Sequence, residues 1–110
     1  MAIPSLETIG RFLDEHYQPA PGHAVPYADL LHQLAQWLDC PAAQVYWLQN
    51  RRVESALYKL GFPLGSWAGE VGHALYCVGN IAPIDAEIYP SRPLILDDGY
   101  LVPTDYEPAS

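Results

Sequence analysis

The residues best suited to chemistry in this 110-residue sequence form one cluster of polar side chains. They are Arg51, Arg52, Ser55, Tyr58 and Lys59, and their spacing places them together on one face of a helix. On a helix that lies in the major groove of DNA, an arginine donates two hydrogen bonds to a guanine edge. The cluster therefore predicts a DNA-reading helix. The alternative is a solvated helix face on which Glu54 is the ion partner.

A second group of residues suits a protein interface. Trp67 lies in a glycine-spaced loop and is the tryptophan most expected to be exposed, whereas Trp37 belongs to the core and Trp47 is undecided. Asp97, Asp98 and Tyr100 surround a glycine, and Asp-Asp-Gly is typical of a turn before it is typical of a metal site. The predicted interface residues are Trp67, Asp97, Asp98 and Tyr100.

Catalysis has little support in the sequence. The four histidines are scattered, no serine stands in a nucleophile motif, and the glycines near Gly65 lack the lysine of a phosphate-binding loop. Cys40 and Cys77 have no metal-ligand spacing and are expected to be free thiols. We therefore predict a protein that is not an enzyme, with no catalytic residue, metal or cofactor.

The charge of the chain limits its partners. The net charge is -8, yet residues 45–80 hold three basic residues against two acidic ones, while residues 81–110 hold one against six. Because cationic side chains supply most non-specific affinity for nucleic acid, DNA binding must come from the one local basic cluster. The chain has no run of about 18 apolar residues and no signal-peptide pattern, so we expect a cytoplasmic protein without membrane contact.

Apolar spacing predicts three helices, over residues 5–17, 27–39 and 50–60. Ser5 and Asn50 are suitable helix caps, and Gly61 closes the third helix. Residues 40–49 are ambiguous between a helical turn and an extended run. Residues 18–22 hold two prolines and must end the first helix, which leaves residues 23–26 as a short extended piece.

The rest of the chain favours short strands. Residues 62–64 and 73–78 predict a β-hairpin around the glycine loop 65–72. Residues 81–110 are rich in proline and acids, so most of this stretch is expected to be irregular. Within it, residues 94–96 and 100–102 have the pattern of a small hairpin. Its strand edges make a homodimer plausible.

Four strings carry a resemblance to a known family. They are Phe12-x-x-Glu15-x-Tyr17, Val25-x-x-x-x-Leu30 followed by Trp37, Val53-x-x-Ala56-Leu57-x-x-x-Gly61-Phe62, and Tyr76-x-Val78-Gly79-Asn80-Ile81. In this order they resemble the winged-helix module near the C-terminus of phage and viral primase-helicase proteins, over residues 9–82. The resemblance implies association with DNA and a phage or mobile-element origin. It implies neither ATPase nor primase activity, which belong to other domains of those proteins.

The expected fold is therefore α+β, a winged helix-turn-helix of three helices plus a β-hairpin wing, with an irregular C-terminal extension. Residues 1–82 are expected to form the winged-helix domain and residues 83–110 the acidic, proline-rich extension. The expected function is non-catalytic DNA binding or a role in replication, with the third helix as the reader. The alternative is an acidic adaptor or inhibitor, which would bind a basic protein surface and imitate DNA.

Overall fold

The structure, a computed structural model, describes residues 4–40, 47, 51–67, 75–89 and 91–104. Its helices are α1 (Leu6–His16), α2 (Tyr27–Trp37) and α3 (Arg51–Lys59). Its strands are β1 (Tyr17–Pro26), β2 (Leu64–Trp67), β3 (Leu75–Pro83), β4 (Leu94–Asp97) and β5 (Tyr100–Pro103). The five strands form one sheet in the order β1-β3-β2-β5-β4.

Local sequence explains where the first helix begins and ends. The Ser5 hydroxyl accepts a hydrogen bond from the Thr8 main-chain N–H at 3.2 Å, which satisfies one of the free N–H groups of the first turn. The helix ends where Tyr17 turns to extended backbone, and β1 starts at that residue. The apolar positions of α1 that are buried are Ile9, Phe12 and Leu13.

The sheet is mixed in direction. Strands β1 and β2 both pair with β3 in antiparallel register, and β4 pairs with β5 in the same way. Strands β2 and β5 run parallel, and the register places Ser66 opposite Tyr100. Strand β1 contains a bulge between Pro19 and Ala24. This proline-bearing strand lies at the edge of the sheet. On the outer side of an edge strand no further strand needs a hydrogen bond, so proline, which has no N–H group, is tolerated there.

Two apolar clusters hold the described residues together. The larger, the main core, joins all three helices to β1, β2 and β3 and contains Phe12, Leu30, Leu34, Val53, Leu57 and Ile81 among others. The smaller, the hairpin core, consists of Cys77, Leu94 and Leu101, with Ala24 and Trp67 packed against them. The hairpin core attaches β4 and β5 to the rest of the sheet.

Polar contacts complete the attachment of the β4–β5 hairpin. The Asn80 side-chain amide faces Leu94, and its Oδ1 accepts from the Leu94 N–H at 2.6 Å while its Nδ2 donates to the Leu94 carbonyl at 2.8 Å. The same Oδ1 accepts from the Gly22 N–H in the β1 bulge at 3.2 Å. At the other end of the hairpin, the Ser66 N–H donates to the Gly99 carbonyl at 2.8 Å.

The winged-helix prediction is wrong. Over the residues that it describes, the structure has a five-stranded mixed sheet and about equal helix and strand content, which is an α+β architecture rather than three helices with a hairpin wing. Two stretches account for the difference. Tyr17, expected at the end of the first helix, and residues 18–22, expected as a break, belong to the ten-residue strand β1. The small hairpin predicted at residues 94–96 and 100–102 within an otherwise irregular extension forms β4 and β5, and β5 pairs with β2. Prolines did not exclude these strands because they lie at the sheet edge or at strand ends.

Several local predictions are confirmed. The three helices occur close to their expected bounds, and the antiparallel pairs β2–β3 and β4–β5 are both present. The bounds of the first hairpin are wrong, because β2 covers residues 64–67, three of which were predicted as the start of the glycine loop. Several predicted features lie outside the described residues: the Asn50 cap, residues 41–46 and 48–49 of the ambiguous run 40–49, the loop positions 68–72, which include Glu70, and residues 73–74 of the predicted strand. The division of the chain at residues 82 and 83 stays a prediction.

Candidate functional site

Helix α3 positions all five residues of the predicted DNA-reading cluster. Val53 and Leu57, one helical turn apart, are fully buried in the main core and fix the rotation of the helix. The opposite face is therefore exposed. We call it the α3 surface, and its residues are Arg51, Arg52, Ser55, Tyr58 and Lys59, all of which are exposed. The helix is closed by Gly61, whose φ of 97° is readily adopted only by glycine.

The α3 surface is grooved. One open depression of about 330 Å³ lies between α3 and the start of α1, where Pro4 and Leu6 form its far wall. A second, of about 420 Å³, lies on the other side of the helix beside Glu54 and Tyr58. Ser55 and Lys59 line both depressions. A ligand that follows the helix can therefore contact a hydroxyl and a cationic group from either side.

Strand β3 contributes a residue that the sequence does not connect with this surface. Tyr76 is 44% exposed and shares a hydrogen bond with the Glu54 carboxylate. Burial, followed by the negative charge of Glu54, raises the pKa of Tyr76 to about 12, although the nearby Arg51 acts in the opposite direction. Tyr76 therefore extends the α3 surface onto the sheet.

Behind Tyr76, the ring of Tyr27 is buried. The two rings meet edge to face, with centroids 5.6 Å apart and planes at 84°. Burial is the main cause that raises the pKa of Tyr27, and the charge of Glu54 adds to it. Glu54 thus interacts with two tyrosines, one at the start of α2 and one on β3. The contact between α3 and β3 arises from tertiary packing, so no local pattern in the sequence could have indicated it.

The predicted interface residues occupy a different part of the molecule. Asp97, Asp98 and Tyr100 are exposed around the β4–β5 turn, where Asp98 and Gly99 have φ angles of 51° and 84°. These left-handed angles belong to the tight hairpin turns that favour Asp-Gly and Asn-Gly, so the turn interpretation of these residues is confirmed. Trp67 is half-buried against the hairpin core instead of being open to solvent.

The other two tryptophans are structural, and both cysteines are free thiols. Trp47 is 2% exposed, and Trp37 packs on Phe12 with ring centroids 5.6 Å apart. Cys40 is an exposed free thiol and Cys77 a buried one, whose pKa is raised by burial and then by the charge of Asp29. Across the described ranges, no group of three His, Cys, Asp or Glu side chains could hold a metal ion.

No protein-family model, no curated protein and no solved structure matches this chain significantly. The resemblance of residues 9–82 to primase-helicase modules therefore stays a prediction. Within the described part of the chain, no helix has the length and apolar character needed to cross a membrane.

Proposed function

We propose that this protein binds DNA through the α3 surface and acts by binding rather than by catalysis. One observation carries the proposal: Arg51, Arg52 and Lys59 project from a single exposed helix face whose other side is anchored in the main core. Phosphate oxygens are natural partners for such cations, and the exposed rings of Tyr58 and Tyr76 offer stacking platforms for bases.

The negative net charge of the protein opposes DNA binding at long range but does not prevent it. A net charge of -8 repels a polyanion at long range and slows the encounter. At physiological ionic strength, however, charges are screened beyond about 8 Å, so contacts at the α3 surface depend mainly on local groups. Three cations that neutralise three phosphates give a slope of about -2.7 in log K against log salt for duplex DNA.

The test is fluorescence anisotropy of labelled duplex and single-stranded DNA titrated with the protein. Arg51→Ala and Lys59→Ala are each expected to reduce the salt slope by about one. Arg11→Ala is the matched control, because it removes one positive charge from an exposed position on α1. Absence of binding at about 50 mM salt, where electrostatic contacts are strong, would contradict the proposal. If Arg11→Ala reduced the salt slope equally, the result would contradict the placement of the DNA-binding site on α3.

Comparison of duplex with single-stranded DNA distinguishes binding in a groove from stacking on unpaired bases. If Tyr58 stacks on unpaired bases, Tyr58→Ala weakens single-strand binding by about 1–3 kcal/mol and leaves duplex binding nearly unchanged. Tyr58→Phe keeps the ring and is the matched control. Equal effects of Tyr58→Ala and Tyr58→Phe would assign the contact to the hydroxyl instead of the ring.

The alternative function, an acidic adaptor or inhibitor that binds a basic protein surface, is supported by a different observation. On the β4–β5 hairpin, the apolar side chains of Ile95, Leu96 and Tyr100 are exposed beside Asp97 and Asp98. Apolar contacts ringed by acids suit a basic surface on a partner protein. Asp98→Asn removes one charge and keeps the turn, because Asn-Gly is equally favoured there. It is expected to weaken binding of an oligolysine peptide, with Glu15→Gln as the control on α1.

A further inference from the structure

A pocket lies between α1, β1 and the turn that follows α3. Its volume is about 180 Å³, and its apolar lining includes Leu13, Leu60, Phe62 and Ile81. It shares no residue with the α3 surface. A cavity of roughly 150 Å³ with apolar walls is large enough for one benzene ring. The pocket therefore has room for a single apolar side chain.

Gly10 keeps this pocket open. It lies in the middle of α1, where a glycine is less favourable than an alanine. Packing does not require a glycine there, because a Cβ atom at this position would meet only the Leu60 Cδ2, at the ordinary contact distance of 3.9 Å. An alanine would fit and would strengthen the helix. The missing side chain instead leaves the space between α1 and Leu60 unfilled.

The charged group at this pocket is a carboxylate. Asp14 is one turn after Gly10 on the same face of α1, lines the pocket and is exposed. Gln18 also lines the pocket, but its amide nitrogen is engaged elsewhere. Its Nε2 lies within hydrogen-bonding distance of three main-chain carbonyls, those of Pro83, Ile84 and Ala86. Asp14 is therefore the group that selects the charge of an occupant.

We propose that this pocket is a docking site for a partner protein, which inserts one apolar side chain next to a lysine or arginine. A buried anchor of this kind commonly supplies most of the energy of a small interface. The carboxylate of Asp14 and the net charge of -8 favour a cationic neighbour and disfavour a phosphate group. The site goes beyond DNA binding and does not depend on it.

The test titrates the full chain, labelled with ¹⁵N, with the peptide Ac-Phe-Lys-NH₂ and follows the amide signals in NMR spectra. Saturable shifts are expected at Gly10, Leu60 and Phe62. Ac-Ala-Lys-NH₂, which lacks the ring, is expected to bind at least about tenfold more weakly. Ac-Phe-Glu-NH₂, which has the opposite charge, is expected to bind roughly threefold more weakly. Equal binding of all three peptides, or no saturable shift, overturns the proposal.

Variants of the pocket separate binding from stability. Gly10→Leu fills the pocket and is expected to abolish binding of Ac-Phe-Lys-NH₂, whereas Gly10→Ala is expected to raise the Tm. A lowered Tm in Gly10→Ala would mean that packing requires the glycine and would overturn the argument. If Gly10→Leu does not fold, Asp14→Asn still tests the proposal. This variant is expected to weaken the binding of Ac-Phe-Lys-NH₂ roughly threefold and not to weaken the binding of Ac-Phe-Glu-NH₂. An identical effect on both peptides overturns the role of the carboxylate.

Discussion

The main core and the hairpin core hold their elements by different means. In the main core, Trp47 and fifteen buried residues from three helices and three strands pack on one another. In the hairpin core, Cys77, Leu94 and Leu101 are the buried members among the residues that the structure describes, and the side-chain amide of Asn80 binds both main-chain polar groups of Leu94. The first is therefore stabilised by apolar area, and the second depends on a few specific polar contacts.

This difference implies different modes of failure. Loss of one residue from the main core affects every helix, because the helices share that cluster. Loss of a contact at the hairpin core affects β4 and β5 first, because that contact joins these two strands to the rest of the sheet. Segments with few buried apolar contacts open locally at a lower free energy than the core.

The largest expected effect is that of Phe12→Ala. Phe12 is fully buried and contacts the rings of Tyr17 and Trp37. Its truncation is expected to lower the free energy of unfolding by about 3–5 kcal/mol, with loss of all helices in one transition. Urea unfolding followed by circular dichroism measures this change. Glu15→Ala, at an exposed position on the same helix, is the control, and a cost below about 1 kcal/mol for Phe12→Ala would contradict the role of the main core.

A smaller and more local effect is expected at Asn80. Its φ of 62° is left-handed, so Asn80→Ala removes the amide and also strains the backbone, whereas Asn80→Gly removes the amide without that strain. Asn80→Gly is expected to cost about 1–3 kcal/mol, because it leaves the Leu94 N–H and carbonyl without their partner. Hydrogen exchange should show lost protection in β4 and β5 and retained protection in α1 and α2. Uniform loss across the chain would show that the two cores open as one unit.

The same division explains what the sequence could predict. Apolar spacing within a helix is local, so the positions of α1, α2 and α3 and the membership of the α3 surface were predictable. The Asp97-Asp98-Gly99 turn was predictable for the same reason. The pairing of Ser66 with Tyr100, the contact of Tyr76 with Glu54 and the hydrogen bonds of Asn80 join distant residues. No local pattern encodes them.

The buried tyrosines make the stability of the protein sensitive to alkaline pH. The folded pKa of Tyr17 is about 12, against an ordinary value of 10, and burial is its main cause. Burial also raises the pKa of Tyr27. These tyrosines lose their protons at lower pH in the unfolded chain than in the folded protein. Their contribution to stability is therefore fully present below pH 10 and is lost as the pH rises from 10 to 12. Unfolding curves measured across this range are expected to show the decline.

Tyr27→Phe isolates one contribution to this decline. Within the described residues, the Tyr27 hydroxyl is buried and has no hydrogen-bond partner, so its removal is expected to leave stability at pH 7 unchanged or slightly higher. The decline above pH 10 should become shallower. A loss of more than about 1 kcal/mol at pH 7 would show that the hydroxyl does form a hydrogen bond. Tyr58→Phe, at an exposed position, is the matched control.

The smallest effect is on thiol reactivity and leaves stability unchanged. Cys40 is exposed and should react with a disulfide reagent at once, whereas Cys77 lies in the hairpin core and has a raised pKa, so it remains a protonated, shielded thiol. Cys40→Ser leaves Cys77 as the only thiol. The labelling rate of Cys77 then reports how often the hairpin core opens.

If β4 and β5 open on their own, Cys77 reacts faster than global unfolding allows, and the labelling rate depends little on low urea concentrations. In Asn80→Gly the rate should rise by about tenfold for each 1.4 kcal/mol of local stability lost. Phe12→Ala lowers the cost of global unfolding only, so it should accelerate labelling through that route and restore a steep dependence on urea. A rate that follows global unfolding in every variant would mean that the two cores, despite their different contacts, form one cooperative unit.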